Sequence, residues 1–233
     1  MSAADRLFSY FPLMMTAASF AALGVFAAWP SGWTVFLLLF VLYLLPPLVL
    51  RIMLRWAPLK PGISCIDGRA FCPWLASHHI QAFYDALPYL ESLLRVIPGF
   101  YSMWLRLWGS RVGYGVEWPV RVDVLDRNLM DIGNRVVFSR EVELSAHVRQ
   151  KMEGGGSRVL VRPVRIGSYA FVGSGARIGP GGIVPHNASV PPLAVVGVNE
   201  TFGESVRHPE RDEAQFALSW NQIPPAPQQI TGT

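Results

Sequence analysis

Aliphatic residues recur at every sixth position through the second half of the chain. The series passes through Leu160, Ile166, Val172, Ile178, Val184, Val190 and Val196. Small residues follow four positions after most of them, at Ala170, Ala176, Gly182, Ala188 and Ala194. This period favours short strands wound into three-sided coils, because only small side chains fit at the corners while aliphatic ones stack inside, about 4.8 Å apart. A sandwich of short glycine-rich strands is the alternative, since alternation alone does not exclude it.

An earlier set of six-residue steps extends the repeat toward the N-terminus. One set is Val112, Trp118 and Val124, and a second, after an offset of two, is Ile132, Phe138 and Leu144. The repeat resembles the hexapeptide of left-handed parallel β-helices. We therefore predict a mainly β fold, with a left-handed parallel β-helix over residues 111–200 that contains roughly four coils of about 18 residues.

Two apolar runs precede this domain. Residues 11–29 and 33–50 carry no charge, and each is about as long as the roughly 20 residues that cross a bilayer core. Residues 1–59 are therefore predicted to form a helical membrane hairpin, with Trp29 and Trp33 as interfacial anchors beside its turn. Basic residues near both ends of the hairpin indicate that both ends, and the β-helix, lie on the cytoplasmic side of the inner membrane.

Three alternatives bear on this hairpin. A cleaved signal peptide is disfavoured by the length of the first run and by the second run that follows at once. Two buried helices of a soluble protein are disfavoured by the absence of charge. Pro46 and Pro47 are expected to kink the second run or end it early, so the hairpin could dip into one leaflet instead of crossing.

The remaining segments have neither the repeat nor the apolar runs. Residues 60–110 are predicted to form a connecting segment with short helices at 78–87, 89–96 and 100–108. The aromatic, amphipathic stretch at 100–108 suits either the membrane interface or a position against the end of the β-helix. Residues 201–233 form a tail in which Pro224, Pro225 and Pro227 favour an extended or disordered chain.

Composition supports a membrane-associated protein and excludes some functions. Hydrophobic residues make up 51% of the chain and the formal net charge is +4, with a mean hydropathy of +0.30. The arginines are dispersed without an aromatic and basic platform, which argues against nucleic-acid binding. Two cysteines, Cys65 and Cys72, are too few for a disulfide framework and indicate a reducing compartment.

A polar, glycine-rich insert interrupts the repeat between Leu144 and Leu160, and His147 directly precedes it. The insert, Val148 to Ser157, is expected to project as a loop. With residues 131–148 before it and 162–200 after it, the chain resembles hexapeptide-repeat acyltransferases of the galactoside, maltose and xenobiotic acetyltransferase type. It resembles still more closely the β-helix module of membrane-bound synthetases of the poly-lysine type.

This resemblance implies transfer of an acyl group from acyl-CoA to a hydroxyl or amine, in a cleft between subunits of a homotrimer. It places His147 as the general base that removes the acceptor's proton, a role suited to imidazole. Glu143 or Ser145 would orient the ring by accepting from its other nitrogen. The remaining histidines, His78, His79, His186 and His208, are expected to be structural or exposed. No metal is expected, because only His147 and His186 lie in the repeat and a zinc site of the carbonic anhydrase type needs three histidines.

The resemblance also implies a groove for coenzyme A beside the C-terminal coils. Its predicted residues are Phe171, Gly173, Ser174, Ala176 and Arg177, with Phe171 against pantetheine and Arg177 near a phosphate. Phe171 could instead only cover a face of the coil. The chain lacks the family's closing Gly-x-Pro segment, so a carrier-protein donor stays open.

Three functions follow. The first is a membrane-anchored acyltransferase that moves an acetyl or short acyl group to a lipid-linked or natural-product acceptor. The second is a noncatalytic trimerising scaffold, and the third is a transferase for long acyl chains.

Overall fold

The computed structural model describes residues 2–65, 70–152 and 156–203. Seven α-helices lie in the first half of these residues. They are α1 (Ala3–Ser9), α2 (Phe11–Ala28), α3 (Gly32–Leu39), α4 (Leu45–Trp56), α5 (Pro73–Ala86), α6 (Pro88–Val96) and α7 (Phe100–Trp108). Strand β1 (Gly62–Cys65) lies between α4 and α5. The predicted tail at 201–233 lies outside the described residues from position 204 onward.

The two apolar runs form two long helical segments joined by a tight turn. Segments Ala3–Ala28 and Gly32–Trp56 are long and apolar enough to cross a bilayer, as judged by length and composition. Ser31 caps α3 through the N–H of Thr34. A π-helix at Phe40–Leu44 precedes Pro46 and Pro47, which occupy the first turn of α4. The second run therefore does not end at the prolines, because a first turn tolerates residues that lack an N–H.

Helices α5 and α7 pack against the middle of the second long segment. The hydroxyl of Tyr84 donates to the carbonyl oxygen of Leu42 at 2.6 Å, and Trp104 Nε1 donates to that of Tyr43 at 3.0 Å. Both carbonyls belong to the π-helix, whose altered spacing frees carbonyl groups for such partners. Helix α7 occupies the range expected for it and α6 begins one residue early, whereas α5 begins five residues before the predicted start at position 78.

The second half of the chain winds through three parallel sheets in turn. The strands that form them are β2 (Arg111–Val112), β3 (Asp123–Val124), β4 (Met130–Ile132), β5 (Val137–Phe138), β6 (Glu143–Leu144), β9 (Val164–Ile166), β10 (Phe171–Val172), β11 (Arg177–Ile178), β12 (Ile183–Val184), β13 (Ser189–Val190) and β14 (Val195–Val196). The sheet orders are β12-β9-β4-β2, β13-β10-β5 and β14-β11-β6-β3. The expected three-sided parallel coil is present, and its left-handed sense stays a prediction.

Strand register shows where the coil departs from its regular period. Val172 faces Val190, which lies three hexapeptides further along the chain. Val112 faces Ile132, which lies slightly further along than three hexapeptides. The offset that breaks the repeat after Val124 therefore lies in the first complete turn. Phe138 faces Val172, which lies 34 residues further along the chain instead of the regular 18. A long insert therefore lies between β6 and β9.

This insert forms a β-hairpin, so the predicted projecting loop is wrong in part. Strands β7 (His147–Lys151) and β8 (Ser157–Val161) pair antiparallel, and β1 adds to the outer edge of β8. Leu160 lies in β8 opposite Val148, and the first member of the six-residue series is therefore not part of the coil. Its spacing misled because hairpin strands also alternate aliphatic and polar positions.

Helix α7 covers the first coil. Trp118 stacks on Phe138 with 4.6 Å between ring centroids, and Tyr101 of α7 lies 5.0 Å from Trp118 in an edge-on arrangement. Arg106 donates to the carbonyl oxygens of Val112 and Gly113. This confirms the expectation that the helical segment covers one end of the coil, where strand edges otherwise stay unpaired.

Candidate active site

His147 stands where the chain leaves the coil. Leu144 is the last residue of β6, and its side chain is fully buried inside the coil, as is that of Ala146. His147 then begins β7 and pairs with Val161 of β8. The side chain of His147 is 18% exposed, so the ring is largely covered but not sealed.

A buried carboxylate holds the ring of His147. Asp126 Oδ2 lies 2.7 Å from His147 Nδ1 and also accepts from the backbone N–H of Ala146 at 2.8 Å. Asp126 is 2% exposed. Because an ionised carboxylate only accepts hydrogen bonds, this contact places the proton on Nδ1 and leaves the lone pair of Nε2 available in the neutral ring.

The environment shifts the pKa of His147 upward. Burial lowers that pKa, but the hydrogen bond to Asp126 and the charge of Asp126 outweigh it, with smaller contributions from Asp85 and Glu143. The result is an imidazole that accepts a proton more readily than one in water. Such a ring is suited to receive a proton during a reaction and to return it afterwards.

Two aromatic residues of α5 cover this ring. The ring centroid of Trp74 lies 4.9 Å from that of His147, and the centroid of His78 lies 6.0 Å from it, edge-on. Trp74 also stacks on His78 at 5.4 Å. Burial lowers the pKa of His78, and the charge of His147 lowers it further. The site therefore holds one histidine that gains a proton easily and a second that stays neutral more easily.

The loop that carries Asp126 is fastened to α5 and α6. Gln81 Oε1 accepts from the backbone N–H of Arg127 at 2.7 Å, while Gln81 Nε2 donates to Asn128 Oδ1 at 3.1 Å. The buried guanidinium of Arg127 pairs with Glu91 and Asp85. Helix packing thus fixes the position of the carboxylate that orients His147.

The predicted partners of the His147 ring have other roles. Ser145 Oγ donates to the carbonyl oxygen of His147 at 2.8 Å and accepts from its backbone N–H at 3.4 Å. Glu143 forms an ion pair with Arg177 at 3.5 Å. The expectation that Glu143 or Ser145 accepts from the ring is therefore wrong, because the coil directs Glu143 to its outer face and the Ser145 hydroxyl back to the main chain.

The five residues predicted to bind coenzyme A divide between two faces of the coil. Phe171 lies beside Val137 and Ser189, whereas Arg177 lies on the next sheet beside Glu143. Ser174 is exposed at the corner between these faces. A ligand that contacts both Phe171 and Arg177 must therefore pass around this corner.

Two of the five are interior positions. Ala176 is fully buried, so its side chain does not reach the surface. A Cβ on Gly173 would lie 2.5 Å from the backbone nitrogen of Pro192. Glycine is required there by the close approach of the next coil. Both residues shape the coil.

The other histidines differ from expectation at one position. His186 Nδ1 accepts from the backbone N–H of Ser168 at 2.9 Å, which confirms its structural role. His78 adjoins His147 and stacks on Trp74, so it lies at the candidate site, which the sequence did not indicate. His208 lies outside the described residues. Within the part of the chain that the structure describes, no three His, Cys, Asp or Glu side chains are grouped to hold a metal ion.

Sequence reasoning missed Asp126 although the sequence carries a signal for it. The two-residue offset between Val124 and Ile132 marks the loop of Asp126, Arg127 and Asn128. A break in a regular repeat is a place where side chains leave their usual faces. The coverage by Trp74 and His78 had no such signal, since α5 is far from His147 along the chain.

Solved structures similar to this chain include several acetyltransferases. One is a hexapeptide-repeat containing acetyltransferase from Vibrio cholerae O1 biovar eltor complexed with acetyl coenzyme A, at 15% identity over 53% of this chain and 85% of that chain, with a TM-score of 0.34. A maltose O-acetyltransferase from Clostridium difficile 630 is 14% identical over 52% of this chain and 82% of its own, with a TM-score of 0.29. A serine acetyltransferase from Neisseria gonorrhoeae is 18% identical over 83% of this chain and 90% of its own, with a TM-score of 0.25.

These names agree with the family resemblance found in the sequence. At such identities and TM-scores they do not establish an activity for this chain. No family model matches the chain, and no curated protein matches its sequence. The geometry around His147 is the feature of this chain that indicates a function.

Proposed function

We propose that this protein is a membrane-anchored acyltransferase that uses acyl-CoA and His147 as its general base. The observation that carries this proposal is the pairing of His147 with the buried Asp126 at 2.7 Å. A structural histidine at a coil edge does not need a buried carboxylate that raises its pKa. Perturbed pairs of this kind are concentrated at functional sites.

The proposed reaction moves one proton out and back. The acceptor's hydroxyl or amine gives its proton to Nε2 of His147 as its oxygen or nitrogen attacks the thioester carbonyl of acyl-CoA. The tetrahedral intermediate then breaks its carbon–sulfur bond, and the imidazolium returns the proton to the departing thiolate. The products are the acylated acceptor and coenzyme A, and the protein forms no covalent intermediate.

Asp126, Trp74 and His78 support this reaction in different ways. Asp126 keeps the proton on Nδ1 and stabilises the imidazolium that forms. Trp74 excludes water from one side of the ring, which strengthens electrostatic interactions in the site. The ring of His78, whose pKa is lowered, lies 6.0 Å from that of His147, so both rings could contact the hydroxyl or amine that is acylated.

The proposed donor site lies at one corner of the coil. Phe171, Ser174 and Arg177 are exposed around one corner of the coil, where pantetheine and a phosphate of coenzyme A could lie. Gly173 and Ala176 serve the coil beneath them. A homotrimer, through the faces of the β-helix, would supply the second wall of the cleft.

Anchoring brings the site to an amphiphilic acceptor. The exposed apolar surface of α2, α3 and α4 suits a lipid environment, and the basic residues at the hairpin ends suit the cytoplasmic face of an inner membrane. Tethering raises the effective concentration of a membrane-bound acceptor at His147. An acetyl or short acyl group is the proposed cargo.

Product analysis tests the proposal directly. The full-length protein in detergent is mixed with a pool of acyl-CoAs and an amphiphile extract of its source cells, and released coenzyme A and acylated products are measured by mass spectrometry. His147→Gln is expected to lower transfer by about 10²–10⁴-fold, the range for loss of a general base. His186→Gln is the matched control, because His186 accepts only a backbone hydrogen bond.

Equal transfer by wild type and His147→Gln would remove His147 from the mechanism. Transfer only from an acyl carrier protein would replace the proposed donor. No transfer from either donor would favour a noncatalytic trimerising scaffold.

A further inference from the structure

A groove of about 500 Å³ lies between α4 and the C-terminal end of α7. Arg51 and Arg55 of α4 line it, together with Leu48, Ile52 and Trp108. The guanidinium of Arg51 leans over Gly109, where an added Cβ would lie 3.1 Å from Arg51 Nη1. The groove is distinct from the site around His147.

The charges in this groove are uncompensated. Arg51 and Arg55 are one helical turn apart, and among the described residues neither pairs with a carboxylate. Three other exposed arginines pair with carboxylates: Arg111 with Asp131, Arg121 with Glu141 and Arg177 with Glu143. Exposed arginines such as Arg6, Arg140 and Arg165 have no such pair among the described residues, so the distinguishing feature of the groove is that two unpaired guanidiniums line it together. Two neighbouring guanidiniums without a counter-charge favour an anion with several oxygens, such as a phosphate.

Trp108 adds a donor to the same wall. Its side chain is fully buried, and its Nε1 has no hydrogen-bond acceptor among the described residues. A buried N–H without an acceptor costs free energy, so an oxygen that reached this nitrogen through a small shift of the groove wall would be favoured. This is independent of the arginine pair and also indicates an acceptor-rich ligand.

The apolar surroundings restrict that ligand to an amphiphile. Leu48 is 48% and Ile52 is 51% exposed beside the arginines. Ile52 also lines a second groove of about 460 Å³, which is almost wholly apolar and includes Phe8, Trp56 and Phe71. A headgroup phosphate at the arginines would therefore have apolar surface directly beside it for its acyl chains.

We propose that this groove binds the phosphate of an anionic phospholipid, between Arg51 and Arg55, with its acyl chains along Leu48 and Ile52. The inference rests on the proposed membrane anchoring and adds a defined lipid site to it. Asn128 also lines the groove, two residues from Asp126. Two residues span at most about 7 Å, so the bound headgroup marks the membrane surface close to the loop that orients His147.

Native mass spectrometry of the full-length protein in neutral detergent tests this site. Phosphatidylglycerol and phosphatidylcholine with identical acyl chains are added in equal amounts, and the lipid retained per protein is counted. The wild type is expected to retain phosphatidylglycerol preferentially. In the double variant Arg51→Gln with Arg55→Gln, the ratio of retained phosphatidylglycerol to phosphatidylcholine is expected to fall about tenfold or more. Glutamine cannot form the charge-assisted hydrogen bonds that the two guanidiniums would make to the phosphate.

Matched controls separate the site from net charge and from misfolding. Arg111→Gln with Arg121→Gln removes the same charge elsewhere and is expected to retain the preference. Arg51→Lys with Arg55→Lys keeps the charge and is expected to bind phosphatidylglycerol with reduced strength, since lysine cannot form the bidentate contact. Equal retention of both lipids by the wild type would overturn the proposal, as would an equal loss in the control pair.

Two further arms distinguish the source of the phosphate and the proposed activity. Inorganic phosphate that displaces the lipid at equal concentration would show a site for free phosphate and overturn a lipid site. The measurement needs no acyl-CoA, and His147→Gln is expected to retain the lipid preference. Failure of acyl transfer and failure of lipid binding are therefore separate results.

Discussion

Asp126 Oδ2 and His147 Nδ1 lie 2.7 Å apart, although 21 residues separate them in the chain. The contact joins the two places where the coil departs from its period. Asp126 lies in the two-residue offset, and His147 begins the hairpin insert. Both irregularities thus meet at one site, as expected of features that serve function more than folding.

Asp126→Asn is expected to lower the pKa of His147 below its ordinary value. The amide would still accept from Ala146, but its NH₂ group would face Nδ1 and favour the proton on Nε2, while the burial that lowers the pKa remains. Histidine titration by NMR measures this shift, and acyl transfer is expected to fall with it. Asp123→Asn, at an exposed strand position, is the control.

The same substitution predicts a pH dependence of stability. Because the folded pKa of His147 is raised, its contribution is fully present below the unfolded value of about 6.5 and is lost as pH rises through the folded pKa. The free energy of unfolding of wild type should therefore exceed that of Asp126→Asn by more at about pH 6 than at about pH 8. Chemical denaturation at both pH values measures it, and an opposite trend would contradict the assigned pKa direction.

His147→Gln is expected to raise the pKa of His78. The charge of His147 is the second cause of the lowered pKa of His78, after burial, and glutamine removes that charge while keeping a side chain in place. NMR titration of the His78 ring measures the change. His186→Gln, on a different turn of the coil, should leave the His78 titration where it is. An unchanged His78 titration in His147→Gln would show that the two rings are not coupled.

Arg127→Ala is expected to destabilise the protein by about 3 kcal/mol, because the buried Glu91 loses one of its two cationic partners and keeps Arg95. Arg127→Met with Glu91→Leu and Arg95→Met should cost less, since all three buried charges are then absent from the interior. Thermal unfolding in detergent compares these variants. Arg165→Ala, at an exposed position, is the control and should change stability by less than about 0.5 kcal/mol. An Arg127→Ala protein as stable as the triple variant would show that the buried ion pairs are not needed in the folded state.

The sequence by itself determined the coil, because its period repeats at each turn. Val172, Ile178, Val184 and Val190 each occupy the same environment, so a local pattern is enough to predict their burial. The apolar runs of the hairpin were predictable from their uncharged length, and the range of α7 from its amphipathic pattern. His147 could be singled out because it lies at a break in this pattern.

Only the tertiary structure decided what surrounds His147. Asp126, Trp74 and His78 come from a coil offset and from a helix far along the chain, and no period relates them to His147. Glu143 and Ser145 were closer in sequence, but the direction of side chains on a coil turns them away from the ring. Long-range packing, here fastened by Arg127 and Gln81, therefore selected the partner that spacing along the chain could not.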